Sequence, residues 1–320
     1  MSVTLHNPTW SLTGEQPELL IAKLSHFGLI SVTGEQAATF LQGQVTADVT
    51  GLAETDWCWG AHCDPKGKML ASFRLFKSQH AIWMLLPKTT VDADLPQLQK
   101  YAVFSKVTLS DSTTDKLLFG IAGSGASAFI EKHFGALSSR VSESNGVIVL
   151  QDSERYVLVV DADAELDFLE GEAVYESSSW QALEVAAGYP NIAANHSGAY
   201  IPQMCNLDAL GGISFTKGCY MGQETVARMK YRGGNKRALY ILSGTVNNQL
   251  TKDGFVEVAL ESGHRKAGNI VEYVQRGSEV LMTVVLANDT DESARFRVAG
   301  DPESHLEIKP LPHELEVLDA

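Results

Sequence analysis

The spacing of apolar residues divides the chain into two regions of different character. Up to about residue 236, short alternating segments that predict strands are interleaved with segments whose apolar residues recur at helical spacing. Beyond Ala238 almost every apolar run alternates with a period of two and ends at turn residues. The pattern therefore predicts an α+β body at residues 1–236, followed by an all-β barrel or sandwich at residues 237–320.

Individual elements follow from the same periodicities. In the body, a strand is predicted at 24–34 and a helix at 35–44. A meander then turns at Asp64-Pro65-Lys66-Gly67. Further helices are expected at 94–101, with Pro96 near the start, at 125–134 and at 179–187. The C-terminal strands are expected at 239–243, 255–259, 268–274, 280–286, 295–298 and 305–308.

Composition adds that this is an ordinary globular chain. Its 320 residues are 44% hydrophobic and 20% charged, which excludes a disordered or fibrous protein and suggests more than one domain. No apolar run is long enough for a membrane span, and the N-terminal segment lacks the features of a secretory signal. Four cysteines do not form a disulfide framework. We therefore expect a reduced, cytoplasmic protein.

Charge is unevenly distributed along the chain. The net charge is −14, which disfavours contact with nucleic acid over most of the surface. The segment 217–237 is the exception, because it has six basic residues and the single acid Glu224. It is either an anion-binding patch or a solvated helix face. The basic residues are Lys217, Arg228, Lys230, Arg232, Lys236 and Arg237.

The segment 211–234, GGISFTKGCYMGQETVARMKYRGG, combines six glycines with a cysteine and this basic run. A helix is predicted at 222–230, which places Cys219 just before its N-terminus. The helix dipole and Lys217 would favour a thiolate there; alternatively, Cys219 is a buried, inert residue of a structural loop. The cysteines lack the spacing of a zinc site, so no metal site is predicted.

Two aromatic residues, Phe27 on the first strand and Trp180 on the helix at 179–187, are candidates for stacking on a flat heterocycle. Packing in the core is the other interpretation of both.

The stretch Lys217-Gly218-Cys219-Tyr220-Met221-Gly222-Gln223-Glu224 resembles the K-G-C-Y-x-G-Q-E signature of the YgfZ family. Four other stretches resemble the same proteins, and together they span nearly the whole chain. They are LQGQVTADV (41–49), AHCDPKGKM (61–69), KYAVFSKV (100–107) and NKRAL (235–239).

The resemblance implies a fold similar to the folate-binding T-protein of the glycine cleavage system, with three modules in a ring and a C-terminal β-barrel. Residues 1–236 would then form two intertwined modules that divide near residues 50 and 110. The sequence departs from the family pattern at Phe27, where the best-known members have Trp, and at Ala186, where members often have Glu.

The resemblance also implies function. Family members are described as folate-binding proteins that assist iron–sulfur cluster assembly or maintenance, notably for the enzyme that methylthiolates tRNA. By matched position Phe27 and Trp180 would flank the folate, and Cys219 would be the functional thiol. The rest of the motif is Lys217, Gly218, Tyr220, Gly222, Gln223, Glu224 and Arg228, and Lys230, Arg232, Lys236 and Arg237 complete an anion patch for a folate polyglutamate tail or tRNA.

Two alternatives stay open. One is a folate-dependent aminomethyltransferase, although Ala71 and Ser72 occupy the positions at which T-proteins have an acidic pair for one-carbon transfer. The other is a tRNA-binding scaffold with a vestigial folate pocket. The sequence does not decide whether the protein catalyses a reaction by itself.

Overall fold

The computed structural model describes residues 3–313, which form a mixed helix and strand fold. The helices are α1 (Ala37–Gln42), α2 (Lys88–Ala102), α3 (Ala126–Phe134), α4 (Ser177–Ala186) and α5 (Gln223–Arg232). Short 3-10 helices lie at Asp167–Leu169, Ala194–His196 and Pro202–Cys205. Among the described residues, no helix is long and apolar enough to cross a membrane.

Residues 3–236, which the structure describes, contain twelve strands. They are β1 (Leu5–His6), β2 (Leu20–Lys23), β3 (Phe27–Thr33), β4 (Trp57–Cys63), β5 (Met69–Ser78), β6 (Ala81–Pro87), β7 (Thr108–Asp111), β8 (Lys116–Ala122), β9 (Val141–Ser144), β10 (Val147–Asp152), β11 (Arg155–Asp161) and β12 (Val174–Tyr175). They form a seven-stranded sheet in the order β1-β12-β2-β8-β11-β10-β9 and a five-stranded sheet in the order β4-β5-β6-β3-β7.

Two compact units make up the chain. The first contains Met1–Gln42, Asp48–Cys58 and Phe73–Trp180, and the second contains Gly43–Ala47, Trp59–Ser72 and Gln181–Ala320. In the first unit, α3 packs its apolar side on the seven-stranded sheet: Phe129 and Ile130 join Phe119 and Leu158 in one buried cluster. Burial of apolar side chains such as these supplies most of the free energy that holds a helix to a sheet.

The second unit ends in a closed six-stranded barrel, which confirms the predicted C-terminal barrel. Its strands are β13 (Arg237–Thr245), β14 (Phe255–Leu260), β15 (Gly263–Arg276), β16 (Glu279–Ala287), β17 (Arg295–Val298) and β18 (His305–Lys309), in the order β13-β16-β15-β14-β17-β18. Alternating residues from all these strands fill the interior, among them Leu242, Val256, Met282, Phe296 and Leu306. Closure leaves no unpaired sheet edge.

Two predicted elements of the body were wrong in their bounds. The strand expected at 24–34 begins only at Phe27, because the Phe27 amide donates to the Leu24 carbonyl in a turn that separates β3 from β2, a strand that was not predicted. Helix α2 begins at Lys88, well before the expected residue 94, and contains Pro96 in its interior. Its first turns bury the polar residues Thr90 and Asp94, so apolar spacing did not reveal them. The two-residue strands β1 and β12 were not predicted.

The barrel allows no side chain at Gly244. A Cβ atom there would overlap the carbonyl oxygen of His305 on the neighbouring strand β18. We expect Gly244→Ala to lower the free energy of unfolding by about 1–3 kcal/mol or more, because the two strands would have to separate. Urea unfolding measures the change. Gly218→Ala is the control, since no atom lies within 4 Å of its Cβ position; equal loss in both variants would contradict the explanation.

Candidate functional site

A buried threonine from elsewhere in the chain holds the start of the loop that contains Cys219. Thr46 is fully buried, and its hydroxyl donates to the Gly212 carbonyl at 2.6 Å and accepts from the Ala61 amide at 2.9 Å. Its backbone forms two more bonds: the Thr46 amide donates to the Ala61 carbonyl, and the Ser214 amide donates to the Thr46 carbonyl, both at 2.9 Å. One residue therefore ties the start of the loop to β4.

Lys217 holds the middle of the same loop. Its ammonium group donates to the carbonyl oxygens of Val45 and Ala47, at 2.8 and 2.6 Å. It also lies 5.1 Å from the centre of the Tyr220 ring. On the far side of Cys219, the Met221 amide donates to the Gly43 carbonyl at 3.1 Å. The segment Gly43–Ala47 thus binds the loop before and after Cys219, and Lys217 has a structural role besides its charge.

The end of the loop is fixed by contact between two glycines. Gly222 caps α5 with a left-handed φ of 80°, which an L side chain rarely adopts. A Cβ atom there would lie 2.5 Å from the Asp64 carbonyl oxygen and 2.9 Å from the Gly67 Cα. The turn at Asp64–Gly67 and the first turn of α5 can therefore approach only because both residues lack side chains.

Cys219 is the exposed cysteine of this loop. Cys63 and Cys205 are buried and Cys58 is intermediate, and none of these four described cysteines forms a disulfide. Burial raises the pKa of the Cys205 thiol, so Cys205 stays protonated. The space beside Gly218 is open. The arrangement therefore presents one thiol to solvent on a loop whose flanks are hydrogen-bonded, so the alternative that Cys219 is buried is wrong.

The rest of the motif lies on α5 or beneath the loop. Tyr220 is buried, and burial raises the pKa of its hydroxyl, so this residue is a neutral support. Gln223 begins α5, and its amide donates to the Tyr220 carbonyl at 3.2 Å. Glu224 and Arg228 are exposed on the helix. Within the described residues, no group of three or more His, Cys, Asp or Glu side chains could hold a metal ion.

The predicted anion patch continues from this helix into the barrel. Lys230 lies 5.5 Å from the ring of Phe215, which contacts the exposed Tyr231 edge to face at 6.1 Å. The remaining cations of the patch, Arg232, Lys236 and Arg237, are exposed. The patch therefore combines accessible positive charge with an exposed aromatic ring.

Phe27 and Trp180 both lie in the first unit, and both are buried. The guanidinium of the buried Arg74 lies 6.0 Å from the Phe27 ring, and that of Arg155 lies 5.4 Å from the Trp180 ring. Asp152 joins the two arginines, at 3.6 Å from Arg74 and 2.9 Å from Arg155. A row of alternating aromatic and charged groups therefore connects the two predicted stacking residues.

Trp180 fits a bound heterocycle in one respect and not in another. The ring is 0% exposed, and Gly120 packs so closely on it that a Cβ atom at Gly120 would overlap the ring. A pterin therefore has no free ring face to stack on. The indole Nε1 is buried and has no hydrogen-bond acceptor among the described residues. This unsatisfied donor suits a ligand that offers an acceptor.

The residues at the T-protein acid positions have structural roles. Ala71 and Ser72 are buried; the Ser72 hydroxyl donates to the Pro190 carbonyl and accepts from the Ile192 amide. Nearby on α4, Glu184 is fully buried and accepts from the Asn191 side chain at 3.1 Å, whereas Ala186 is exposed. Glu184 therefore faces away from the position at which family members have Glu. No acid for one-carbon transfer is provided at these positions.

Comparison with known proteins explains why the five distant stretches resemble one family. A family model described as "YgfZ, beta-barrel domain" matches residues 235–301. The tRNA-modifying protein YgfZ of Colwellia psychrerythraea is 38% identical over 325 residues, which cover 98% of this chain and 99% of that protein. The protein of the same name from Escherichia coli O127:H6 is 38% identical over 327 residues, 99% of this chain and 100% of that protein. The chain belongs to the YgfZ family.

The YgfZ fold has a solved counterpart. The glycine cleavage system aminomethyltransferase T from Bartonella henselae superposes with a TM-score of 0.66 over 92% of this chain and 86% of that protein. Its sequence identity is only 14%, so the likeness is one of fold. It confirms the predicted T-protein-like fold class.

Sequence reasoning identified Cys219 but missed what supports it. Thr46 lies in LQGQVTADV and Gly67 in AHCDPKGKM. Both stretches contribute to the family resemblance, but their sequences did not predict what these residues do. The structure brings them to the K-G-C-Y-x-G-Q-E loop in the second unit. These stretches therefore form the frame of one exposed thiol.

Thr46→Val tests this frame. The valine removes a hydroxyl that serves two buried backbone groups, so the free energy of unfolding should fall by about 1–3 kcal/mol. The loop should also loosen, which mass spectrometry would detect as a changed rate of alkylation at Cys219. Thr46→Ser keeps the hydroxyl and is the matched control. If valine and serine variants behave alike, the hydroxyl does not hold the loop.

Alkylation of the native wild-type protein gives a second prediction. Cys219 should react first with a water-soluble alkylating reagent, because it is the exposed thiol, whereas Cys63 and Cys205 should react only after unfolding. Peptide mapping over time measures the order. Labelling of Cys205 before Cys219 in the folded protein would contradict the structure.

Proposed function

We propose that this protein is a cytoplasmic, folate-binding accessory protein for iron–sulfur cluster assembly or repair that supports tRNA modification by methylthiolation. In this proposal Cys219 is the functional thiol. The observation that carries it is the exposed Cys219 on a loop held by hydrogen bonds from the buried Thr46 hydroxyl and from the Lys217 ammonium group. A loop that only connected two elements would not need these hydrogen bonds on both sides of Cys219.

The relatives support the tRNA part of the proposal. The Colwellia and Escherichia proteins are named tRNA-modifying, and this chain matches them over nearly their full length. A thiol can ligate iron, exchange with a disulfide or attack an adduct, and each of these would suit a protein that serves an iron–sulfur enzyme of tRNA modification. The proposal assigns the methylthiolation chemistry to that client enzyme.

Folate is the proposed cofactor, held at Trp180 by a hydrogen bond and not by ring stacking. The T-protein-like fold supports folate, and the unsatisfied Nε1 of Trp180 would donate to an acceptor on the pterin. Phe27 would lie at the other end of the site, because the row of aromatic and charged groups that ends at Trp180 begins with the contact between Phe27 and Arg74. A bound folate would supply a one-carbon carrier; these residues would bind and orient it.

An anionic partner would meet the patch on α5 and the start of the barrel. Lys230, Arg232, Lys236 and Arg237 would contact phosphates of tRNA or the folate polyglutamate tail, and the exposed Tyr231 offers a ring for base stacking. Because the whole chain has a net charge of −14, tRNA contact would be weak and sensitive to salt.

Cys219→Ser tests the thiol in cells. In a bacterial strain that lacks its own YgfZ gene, the wild-type protein should restore methylthiolated tRNA, and the variant should leave the level near that of the empty vector. Mass spectrometry of digested tRNA measures the modification. Cys58→Ser is the control with an intermediate thiol and should restore it fully. Restoration by Cys219→Ser at equal protein level would remove Cys219 from the mechanism.

Trp180→Phe tests the cofactor. Phenylalanine keeps a buried ring but has no N–H, so tetrahydrofolate should bind about tenfold more weakly, equivalent to 1.4 kcal/mol. Isothermal titration measures the Kd. Trp83→Phe is the control, because the Trp83 N–H already donates to the Ser78 carbonyl at 3.0 Å. An unchanged Kd in Trp180→Phe would show that the indole does not bind folate.

A further inference from the structure

A pocket in the second unit contains cations that the motif does not use. It has a volume of about 480 Å³ and lies where the turn before β5 and the segment before Pro202 meet the barrel. The polar residues of its lining are Lys68, Tyr200, Arg237, Lys266 and Asn269. None of them belongs to the loop at 211–222, so the pocket is separate from the Cys219 site.

The lining has three positive charges and no carboxylate among the described residues. None of the three cations forms an ion pair with a described side chain: the Lys68 ammonium donates to the Ala199 carbonyl at 3.3 Å, and the Lys266 ammonium lies 4.6 Å from the Phe255 ring. Three like charges around one cavity repel each other, and an anion bound between them would offset this repulsion. In a chain of net charge −14, this concentration is a local exception.

The backbone of β15 is shaped to bring two of these side chains together. Lys266 and Asn269 are three residues apart and would lie on opposite faces of a regular strand. The pairing with β14 shifts between them, since Gly268 pairs with Val256 while Lys266 pairs with Glu257. Ala267 is therefore the extra residue of a β-bulge. A bulge reorients side chains, and here it places Lys266 and Asn269 on the same pocket.

Neutral donors complete the lining. The Asn269 side chain donates to the Tyr200 hydroxyl oxygen at 3.5 Å, which leaves the hydroxyl proton of Tyr200 for another acceptor. Burial raises the pKa of Tyr200, so the hydroxyl is protonated at neutral pH. Ala267 and Gly268 are small, which leaves room between the longer side chains.

We propose that this pocket binds a phosphate group. Three cations and a hydroxyl donor match the several charged oxygens of a phosphate better than the two oxygens of a carboxylate. The volume leaves room for more than a phosphate ion, which suits a phosphate that is part of a larger molecule, either a free nucleotide or an RNA backbone. Arg237 belongs to both this pocket and the anion patch. The pocket stands without the thiol and folate proposals; only an RNA source for the phosphate would extend the proposed tRNA contact.

The test uses the full-length protein at low ionic strength with two probes, inorganic pyrophosphate and unmodified tRNA. Affinity is measured by isothermal titration for pyrophosphate and by filter binding for tRNA. Lys266→Gln removes one pocket cation; Lys266 is exposed, so folding should not suffer. Lys132→Gln is the control, because it removes an exposed cation of α3 that lines neither the pocket nor the anion patch.

We expect Lys266→Gln to weaken binding of at least one probe about tenfold or more and Lys132→Gln to leave the binding of both probes unchanged. A tenfold loss for pyrophosphate identifies a site for a free phosphorylated molecule, and a loss for tRNA alone identifies the RNA backbone as the source. The proposal is overturned if neither probe binds saturably, if Lys266→Gln binds both as the wild type does, or if both variants lose affinity equally. Neither readout involves Cys219 or folate, so failure here leaves the thiol and folate proposals intact.

Discussion

The buried hydroxyl of Thr46 is the interaction on which the Cys219 loop depends most. It satisfies a donor on β4 and an acceptor at Gly212 at the same time, in a place where water cannot do so. Lys217 adds two charge-assisted bonds to the same five-residue segment. Because these partners are backbone atoms, the loop has one geometry, and Cys219 is exposed as a consequence of that geometry.

The first unit solves a different problem, the burial of charge beside aromatic rings. Arg74 is almost completely buried, where an unpaired guanidinium would be very costly. Asp152 neutralises it and is shared with Arg155, and the rings of Phe27, Trp57 and Trp180 lie near the two guanidinium groups. Such a network fixes side-chain positions more than it adds stability. Arg155 and Gly120 both lie against the Trp180 ring, so the indole N–H, and not a ring face, is left for a ligand.

How much of this could be predicted from the sequence depended on distance along the chain. The barrel was predictable because each strand has its own alternation, and Cys219 because its neighbours form a compact motif. Thr46 was not, since its partner Gly212 lies 166 residues later and nothing local indicates that a threonine is buried. The start of α2 was missed for a related reason: Thr90 and Asp94 are polar yet buried, so apolar periodicity did not include them. The β-bulge at Ala267 depends on the pairing with β14, which sequence spacing cannot reveal.

Amide hydrogen exchange reports whether the segment Gly43–Ala47 preorganises the loop that contains Cys219. The amides of Ser214 and Met221 donate to Thr46 and Gly43, one on each side of Cys219. In the native protein both should exchange far more slowly than unstructured amides, and Lys217→Met should accelerate both while the barrel amides are unaffected. Exchange of Ser214 and Met221 at the rates of an unstructured peptide would show that the segment Gly43–Ala47 does not hold the loop.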